Sequence, residues 1–405
     1  MTDHATVERG LIDHSTRTEK LPYAALLAFA MTGFIAILTE TLPAGLLTQI
    51  GAGLNVSEVW AGQLVTLYAL GSIVAAIPLT VATRGWRRRR VLMMTVCGFL
   101  LFNTVTTFST HYGLTLVSRF LAGMAAGLSW GIMAGYARGL VPVHLQGRAL
   151  AIAMLGTPVA LSLGTPAGTW LGNMIGWRAS FGIMSALALV LAAWIMISVP
   201  DRPGQADTQR LPLAKVFRTP GVRPVLFVVL TWMLGHNILY TYIAPFLKQA
   251  GLGERVDLVL LVFGISSLVG IWIIGLLVDR WLRRLTLISL AVFALTALVL
   301  AMATSSPWVI YGCMAVWGLS FGGSATLVLT AAADSAGDNV DVVQAMLTTS
   351  WNVAIAGGGL LGGLLLDRAG AMSFPWALLI LSLIAFATVW INRHYSFRPG
   401  RRVHL

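Results

Sequence analysis

Residues 21–47 read LPYAALLAFAMTGFIAILTETLPAGLL, an apolar run that contains one charged side chain, Glu40. About 20 helical residues cross the hydrocarbon core of a bilayer, which is about 30 Å thick. Lipid offers backbone N–H and C=O groups no hydrogen-bond partner, so a run of this kind crosses the membrane as a helix. The segment therefore predicts a membrane-spanning helix, and the fold depends on how often such a run recurs.

Runs of this length recur along the whole chain. Of its 405 residues, 57% are apolar and only 10% are charged, against about 25% charged residues in an average soluble domain. This composition excludes a water-soluble protein and predicts an all-α membrane protein. We predict twelve transmembrane helices, called spans 1 to 12, at residues 22–47, 59–83, 91–109, 113–137, 148–172, 178–199, 224–248, 257–279, 285–304, 307–331, 341–366 and 373–392.

The chain divides into two similar halves. The segment between spans 6 and 7 is polar and basic and contains four prolines, which is typical of a connector. Shifting the sequence by 195 residues places Arg88 on Arg283 and Gly123 on Gly318. The predicted domains are a tail at 1–21, a six-helix bundle at 22–199, a linker at 200–222, a second, pseudo-symmetric six-helix bundle at 223–392 and a tail at 393–405.

Basic residues lie mostly on one predicted side of the membrane. With a cytoplasmic N-terminus, 22 of the 27 Lys and Arg residues face the cytoplasm and 4 face the opposite side. The positive-inside rule then predicts a multi-pass membrane protein with both termini cytoplasmic. We interpret the basic runs 87–90 and 398–402 as topology signals and contacts with lipid headgroups, not as nucleic-acid sites.

The sequence indicates no cofactor, no metal and no enzyme. Cys97 and Cys313 lie in opposite halves and are typical of small apolar packing groups. The chain has neither an H-E-x-x-H helix nor a recognisable Ser/His/Asp set. We therefore expect a protein, acting as a monomer, whose partners are a small-molecule substrate, protons and the lipid bilayer.

A charged motif follows span 8. The chain reads GLLVDRWLRR there, with Asp279 and Arg280 followed by Arg283 and Arg284. This segment resembles the loop signature G-x-L-a-D-R-x-x-R-R of the major facilitator superfamily. The resemblance implies that these charges hold the bundle in one conformational state, through interactions with neighbouring helix ends.

Spans 4 and 5 extend the resemblance. Span 4 contains SRFLAGMAAG, in which Arg119 begins the superfamily pattern R-x-x-x-G-x-x-x-G, and span 5 contains GTPVALSLGTPAGTWLGNMIGWRASF. The span-5 segment is similar to the twelve-span drug:proton antiporter branch, and within it to bacterial sugar efflux (arabinose efflux permease-like) and purine nucleoside efflux transporters, which implies a bacterial inner (plasma) membrane. The resemblance implies a major facilitator fold, a conformational role for Gly164, Pro166 and Gly168, and a central cavity lined by spans 1, 4, 7 and 10.

Glu40 and Arg119 are candidates for proton coupling. Each lies about seven residues from the helix end on the side away from the termini, which is about 10 Å at a rise of 1.5 Å per residue. Equal depth makes them plausible partners. Burial disfavours a charged carboxylate whereas a nearby guanidinium favours it, so relative movement of such groups can bind and release a proton. The alternative is a fixed ion pair that only holds spans 1 and 4 together.

Aromatic and amide side chains are candidates for substrate binding. Trp232, His236 and Tyr240 are spaced by four and share one face of span 7. Rings with polar tips suit a ligand with flat faces and hydrogen-bonding edges, although stripes of this kind also occur as ordinary packing. The predicted substrate-binding residues are Trp130, His236, Asn237, Tyr240, Trp317 and Asn352.

Together these features predict a transporter. We expect proton-coupled efflux by antiport of a small organic solute, such as a sugar, a nucleoside or an amphipathic drug, through alternating access of the two halves. A proton-coupled uptake symporter of the same fold is one alternative. A membrane receptor or sensor is another, of a different class.

Overall fold

The computed structural model describes residues 21–76, 78–83, 85–142, 145–204, 216–303, 306–336 and 340–397. Throughout these ranges the regular structure is helical, without β-strands. Outside them lie nearly all of the predicted N-terminal tail, the middle of the predicted linker and the basic run 398–402.

The first half is built from short and long helices in sequence. Span 5 is divided into shorter helices, and span 2 is described on both sides of residue 77. The elements are α1 (Tyr23–Gly45), α2 (Leu47–Leu54), α3 (Glu58–Ala76), α4 (Pro78–Ala82), α5 (Arg88–Phe108), α6 (Tyr112–Gly139), α7 (Gln146–Met154), α8 (Gly156–Val159), a π-helical turn (Ala160–Gly164), α9 (Thr165–Ile175) and α10 (Trp177–Ser198).

The second half follows the same plan. Span 7 breaks after Thr241 and span 10 breaks at Gly323, so each contributes two helices. The elements are α11 (Val222–Thr241), α12 (Ile243–Gln249), α13 (Val256–Met302), α14 (Pro307–Gly322), α15 (Ser324–Ala336), α16 (Val340–Ala369) and α17 (Phe374–Ile391).

Spans 8 and 9 form one continuous helical stretch. Eleven stretches of the described chain are long and apolar enough to cross a membrane, and one of them, Gly253–Met302, is 50 residues long. Its backbone leaves the helical region at Trp281, where φ is −134° and ψ is 30°. The predicted loop is therefore a kink inside the GLLVDRWLRR motif, because few residues separate the two spans. With this kink, the chain makes the twelve predicted crossings.

On one side of the protein, residues with positive φ follow four of the spans. Asn55 (φ 56°), Gly176 (φ 89°), Gly251 (φ 79°) and Gly370 (φ 74°) follow spans 1, 5, 7 and 11. A residue with positive φ after a helix lets the chain reverse direction, and glycine adopts it without strain. We call this side the distal face; the opposite side, where α1 begins and α17 ends, is the terminal face.

Helices α3 and α6 approach closely through glycines. A Cβ atom at Gly123 would overlap the Tyr68 carbonyl, and one at Gly127 would overlap the Ser72 carbonyl. Glycine at such positions lets two helix backbones touch in lipid, where packing rather than the hydrophobic effect drives association. The span-4 glycines therefore fix Arg119 relative to span 2.

This packing predicts a difference between two alanine substitutions on α6. Gly127→Ala should destabilise the protein by about 1–3 kcal/mol, because the added methyl group meets backbone atoms that cannot move aside. Gly135→Ala is the matched control, since nothing lies within 4 Å of its Cβ position, and alanine favours helix by up to about 1 kcal/mol. Thermal unfolding in detergent measures both. Equal melting temperatures for the two variants would contradict the close approach.

The two halves meet near the distal face at Tyr242. Its hydroxyl donates a hydrogen bond to the Gly359 carbonyl at 2.8 Å, and Gln63 Nε2 of the first half lies 3.3 Å from the same hydroxyl. The Tyr242 ring is fully buried, and a Cβ atom at Gly62 or Gly363 would overlap it. Glycines of both halves thus make room for one tyrosine that joins span 2 to spans 7 and 11.

A second contact between the halves lies at the π-helical turn of span 5. Pro166 has no N–H group, so the α-helical hydrogen bond to the Ser162 carbonyl cannot form. A π-helical turn is a common irregularity at such a site. Gly264 of α13 packs directly on this turn, because a Cβ atom there would overlap the Ser162 backbone.

Candidate transport site

Glu40 lies on α1 where the two halves meet. Only 7% of its surface is exposed, and its Oε1 atom is buried without a hydrogen-bond partner. The carboxylate is close enough to interact electrostatically with Arg119 and Tyr68 of the first half and with Tyr240 of the second. The candidate proton carrier therefore senses groups of both halves.

Arg119 is fully buried on α6 and contacts the backbone beside Glu40. Its Nη2 donates a hydrogen bond of 2.6 Å to the carbonyl of Thr39. Its Cζ lies 4.8 Å from the centre of the Tyr68 ring and 5.5 Å from that of Phe181, which favours cation–π interactions. Nε and Nη1 have no hydrogen-bond partner. Instead of a direct ion pair with Glu40, the guanidinium has a backbone carbonyl and two aromatic rings.

Polar contacts to neighbouring spans hold this part of α1 in place. Asn103 Nδ2 of span 3 donates to Thr39 Oγ1 at 3.0 Å. The Tyr68 hydroxyl of span 2 donates to the Ala36 carbonyl at 2.8 Å. Both the carbonyl and the hydroxyl of Thr39 are thus engaged, which positions the backbone next to Glu40.

Sequence reasoning missed Asn103, Tyr68 and Phe181 as parts of this site. Asn103 carried a usable signal, because an amide inside an apolar span is costly unless it is paired. Tyr68 and Phe181 carried none. A tyrosine or phenylalanine in a transmembrane helix is ordinary, and only the packing of spans 2, 4 and 6 places both rings around one guanidinium.

Six rings of the second half form what we call the aromatic cluster. Its members are Trp232, His236 and Tyr240 on α11, Phe263 on α13, and Trp317 and Phe321 on α14. His236 stacks on Phe321, with ring centres 3.7 Å apart and planes at 5°. Its ring centre lies 5.1 Å from that of Tyr240 and 5.3 Å from that of Trp317. The structure thus brings together three of the predicted substrate-binding residues and adds Phe263, which sequence reasoning missed.

Four polar atoms of the aromatic cluster are buried without a hydrogen-bond partner. They are Trp232 Nε1, His236 Nδ1, Trp317 Nε1 and the Tyr240 hydroxyl, which faces the Thr165 side chain of span 5. An unmade hydrogen bond of this kind costs about 1–3 kcal/mol, and most buried polar groups in native proteins are satisfied. Because four of them share one cluster, the cluster is a candidate for binding a polar ligand.

The other predicted substrate residues are not members of the aromatic cluster. Asn237 and Asn352 each donate from Nδ2 to the carbonyl four residues earlier in their own helix, at 2.8 Å and 3.0 Å. Trp130 packs against α1, where its ring is 3.3 Å from the Cβ position of Gly33. Contact of these three residues with substrate stays a prediction.

The charged motif lies at the terminal face. Asp279, Arg280 and Arg284 are exposed. Arg283 donates from Nη1 and Nη2 to two carbonyls in the last turn of α17, at 2.7 Å and 3.0 Å. A cation at a helix C-terminus interacts favourably with its unpaired carbonyls. The motif thus ties the kink between spans 8 and 9 to span 12.

The predicted span-5 motif faces the helix that carries Glu40. A Cβ atom at Gly164 would come within 3.0 Å of the Phe34 ring, and one at Gly168 within 2.7 Å of Leu42. Pro166 is buried at the start of α9. Small residues here let span 5 lie against α1, and their conformational role stays a prediction.

Two six-helix halves with buried polar groups between them have the architecture of a secondary transporter. The model of the Major Facilitator Superfamily matches residues 29–341 and 254–403. The chain belongs to this superfamily and is a multi-pass membrane transporter that acts on small molecules. The predicted fold is thereby confirmed.

Individual relatives agree with this assignment. The purine ribonucleoside efflux pump NepI of Escherichia coli O6:K15:H31 (strain 536 / UPEC) is 30% identical over 359 residues, which cover 87% of this chain and 89% of the pump. The pump of the same name from Escherichia coli strain K12 is 29% identical. The crystal structure of a D-xylose-proton symporter superposes with a TM-score of 0.74 at 16% identity, over 91% of this chain and 96% of the symporter. At that identity the likeness concerns the fold alone.

Proposed function

We propose that this transporter exports a nucleoside-like solute across a bacterial inner membrane in exchange for protons. One observation carries the proton coupling: Glu40 is a buried carboxylate with an unpartnered oxygen, within electrostatic reach of Arg119 and of Tyr240 in the other half. An intramembrane acid that no direct ion pair neutralises can take up and release a proton. The excess of basic residues on one side favours cytoplasmic termini.

Protonation of Glu40 would link proton movement to rocking of the two halves. A proton that enters from the outer side neutralises the carboxylate and removes its attraction to Arg119. Arg119 keeps its charge throughout, because a guanidinium does not lose its proton in proteins. The neutral site then opens to the cytoplasm, where Glu40 loses the proton and substrate enters. Return of the loaded transporter moves substrate outward, so the two fluxes have opposite directions.

Two features support a nucleoside-like substrate. The relatives that match most of this chain are named purine ribonucleoside efflux pumps. The aromatic cluster offers ring faces and unpaired donors, which suit a base that stacks and accepts hydrogen bonds. We assign substrate contact to His236, Tyr240 and Trp317 in the aromatic cluster, with Trp130, Asn237 and Asn352 along the path.

The remaining motifs are assigned to the conformational change. Arg283 joins the kink between spans 8 and 9 to span 12, and we infer that it acts with Asp279, Arg280 and Arg284 as a latch at the terminal face. Gly164, Pro166 and Gly168 let span 5 slide on α1. Since every assigned residue belongs to one chain, a monomer suffices for the cycle.

Proteoliposomes with an imposed pH difference test the proposal. An acidic lumen should drive radiolabelled inosine into the vesicles, because protons leave as substrate enters. Dissipation of the gradient with a protonophore is the control and should abolish accumulation. Accumulation of inosine in vesicles with an alkaline lumen would instead identify a symporter. Accumulation that does not depend on the pH gradient would contradict proton coupling.

A further inference from the structure

The unpaired atoms of the aromatic cluster define the chemistry of a ligand. Trp232 Nε1 and Trp317 Nε1 are unpartnered, and an indole N–H only donates. Both side chains are at least nine-tenths buried, as are His236 and Tyr240. A molecule that satisfies the two indoles must present hydrogen-bond acceptors, and a flat ring with acceptors at its edge could also stack on the neighbouring aromatic side chains. A purine does so, because its ring nitrogens and the O6 of a hypoxanthine or guanine are acceptors at its edge.

Phe321 occupies the face of His236 that such a ring would use. The two rings lie almost parallel with centres 3.7 Å apart, so they overlap with little offset. Aromatic pairs favour offset or edge-to-face arrangements over this sandwich. The phenyl ring of Phe321 also has no polar atom to offer the unpaired groups of Trp232 and His236, which it contacts. A heterocycle in the same position would both stack and hydrogen-bond.

The aromatic cluster holds little that would recognise a sugar. Its polar atoms all belong to rings. Asn237 and Asn352 each direct one amide N–H to a carbonyl of their own helix. Ribose hydroxyls need several paired donors and acceptors to bind specifically, and the aromatic cluster has none arranged for them.

We propose that the aromatic cluster is a purine-base site in which Phe321 holds the place of the base until substrate arrives. This inference rests on the proposed function, and it extends the range of ligands from nucleosides to free purine bases. On binding, the purine replaces the Phe321 ring on the face of His236, so competition with Phe321 determines the affinity. The two indole N–H groups select ligands that carry acceptors and so determine the specificity. The sugar adds little to the binding free energy.

Equilibrium binding to the purified full-length protein, without any pH gradient, tests the proposal. Hypoxanthine should displace tritiated inosine with a dissociation constant within about threefold of that of unlabelled inosine, whereas D-ribose should not displace it. Displacement by ribose but not by hypoxanthine would overturn the proposal. So would failure of both inosine and hypoxanthine to bind.

Two substitutions separate the roles of the rings. Trp317→Phe keeps the ring and removes the N–H group, so it should weaken hypoxanthine binding about tenfold. Phe321→Leu removes the competing ring while keeping apolar volume, so it should strengthen binding several-fold. Trp308→Phe is the matched control, because Trp308 is 83% exposed, and it should change nothing. Unchanged affinity in both cluster variants, with melting temperatures close to that of the unsubstituted protein, would overturn the proposal.

These outcomes are distinct from those of the transport test. If the protein binds the base normally but a pH gradient does not drive accumulation, the antiport mechanism is contradicted and the purine-base site is still supported. The opposite result is that inosine export is driven by protons while the Trp317 and Phe321 variants bind hypoxanthine with unchanged affinity. That outcome would support the antiport mechanism and contradict the purine-base site.

Discussion

Glu40→Gln is expected to abolish gradient-driven accumulation while leaving exchange intact. A pH difference of about 2 units is worth about 2.7 kcal/mol per proton, which supports a concentration ratio of about 100. Glutamine has nearly the shape of a protonated glutamate but carries no exchangeable proton. The accumulation ratio should therefore fall from as much as about 100 to about 1. Labelled inosine should still exchange with unlabelled inosine, and this exchange should no longer depend on pH.

The matched control for this substitution is Glu58→Gln. Glu58 lies at the start of α3 near the distal face, where its Oε1 accepts a hydrogen bond from Thr48 at 2.7 Å. It has the same chemistry as Glu40 but lies at the first residue of its helix rather than inside a span, so its substitution should leave the accumulation ratio unchanged. An unchanged ratio in the Glu40 variant would remove Glu40 from the mechanism.

The long spans could be predicted from sequence because a single physical requirement, the pairing of backbone groups in lipid, determines their structure. Backbone groups in lipid must be paired within the helix, so every long apolar run is a helix whatever surrounds it. The interruptions depend on finer terms. Pro166 removes one hydrogen bond, but the resulting π-helical turn is stabilised by contact with Gly264 in the other half. The kink at Trp281 likewise replaces a loop, which periodicity does not reveal.

The depth of Glu40 and Arg119 was accessible from sequence, but their contacts were not. Helical rise places both at the same level in the membrane. Which acceptor the guanidinium takes depends on side-chain rotamers and on the carbonyl of Thr39, and the structure favours that carbonyl over the carboxylate. Sequence spacing also predicted the stripe of Trp232, His236 and Tyr240. It could not predict that Phe321 of another helix stacks on its centre.

The Thr39 contact leads to the last prediction, which concerns Arg119. Arg119→Met removes a charged hydrogen bond to a buried carbonyl, worth about 1.5–3 kcal/mol, and leaves Glu40 without a nearby cation. Glu40 should then remain protonated, since burial disfavours the carboxylate and nothing offsets it. Accumulation should be lost, and the melting temperature should fall. Arg148→Met is the matched control, because Arg148 is an exposed arginine of α7, and it should alter neither property.

A double-mutant cycle separates electrostatic coupling from packing. If Arg119 acts on Glu40 through charge, Glu40→Gln should cost less stability, or even add some, in the Arg119→Met background than in the unsubstituted protein. The expected coupling is about 0.5–3 kcal/mol, the range found for groups in one interacting network. Equal effects of Glu40→Gln in both backgrounds would show that the two residues act independently. Arg119 would then only hold α1 to its neighbours, through Thr39 and the rings of Tyr68 and Phe181.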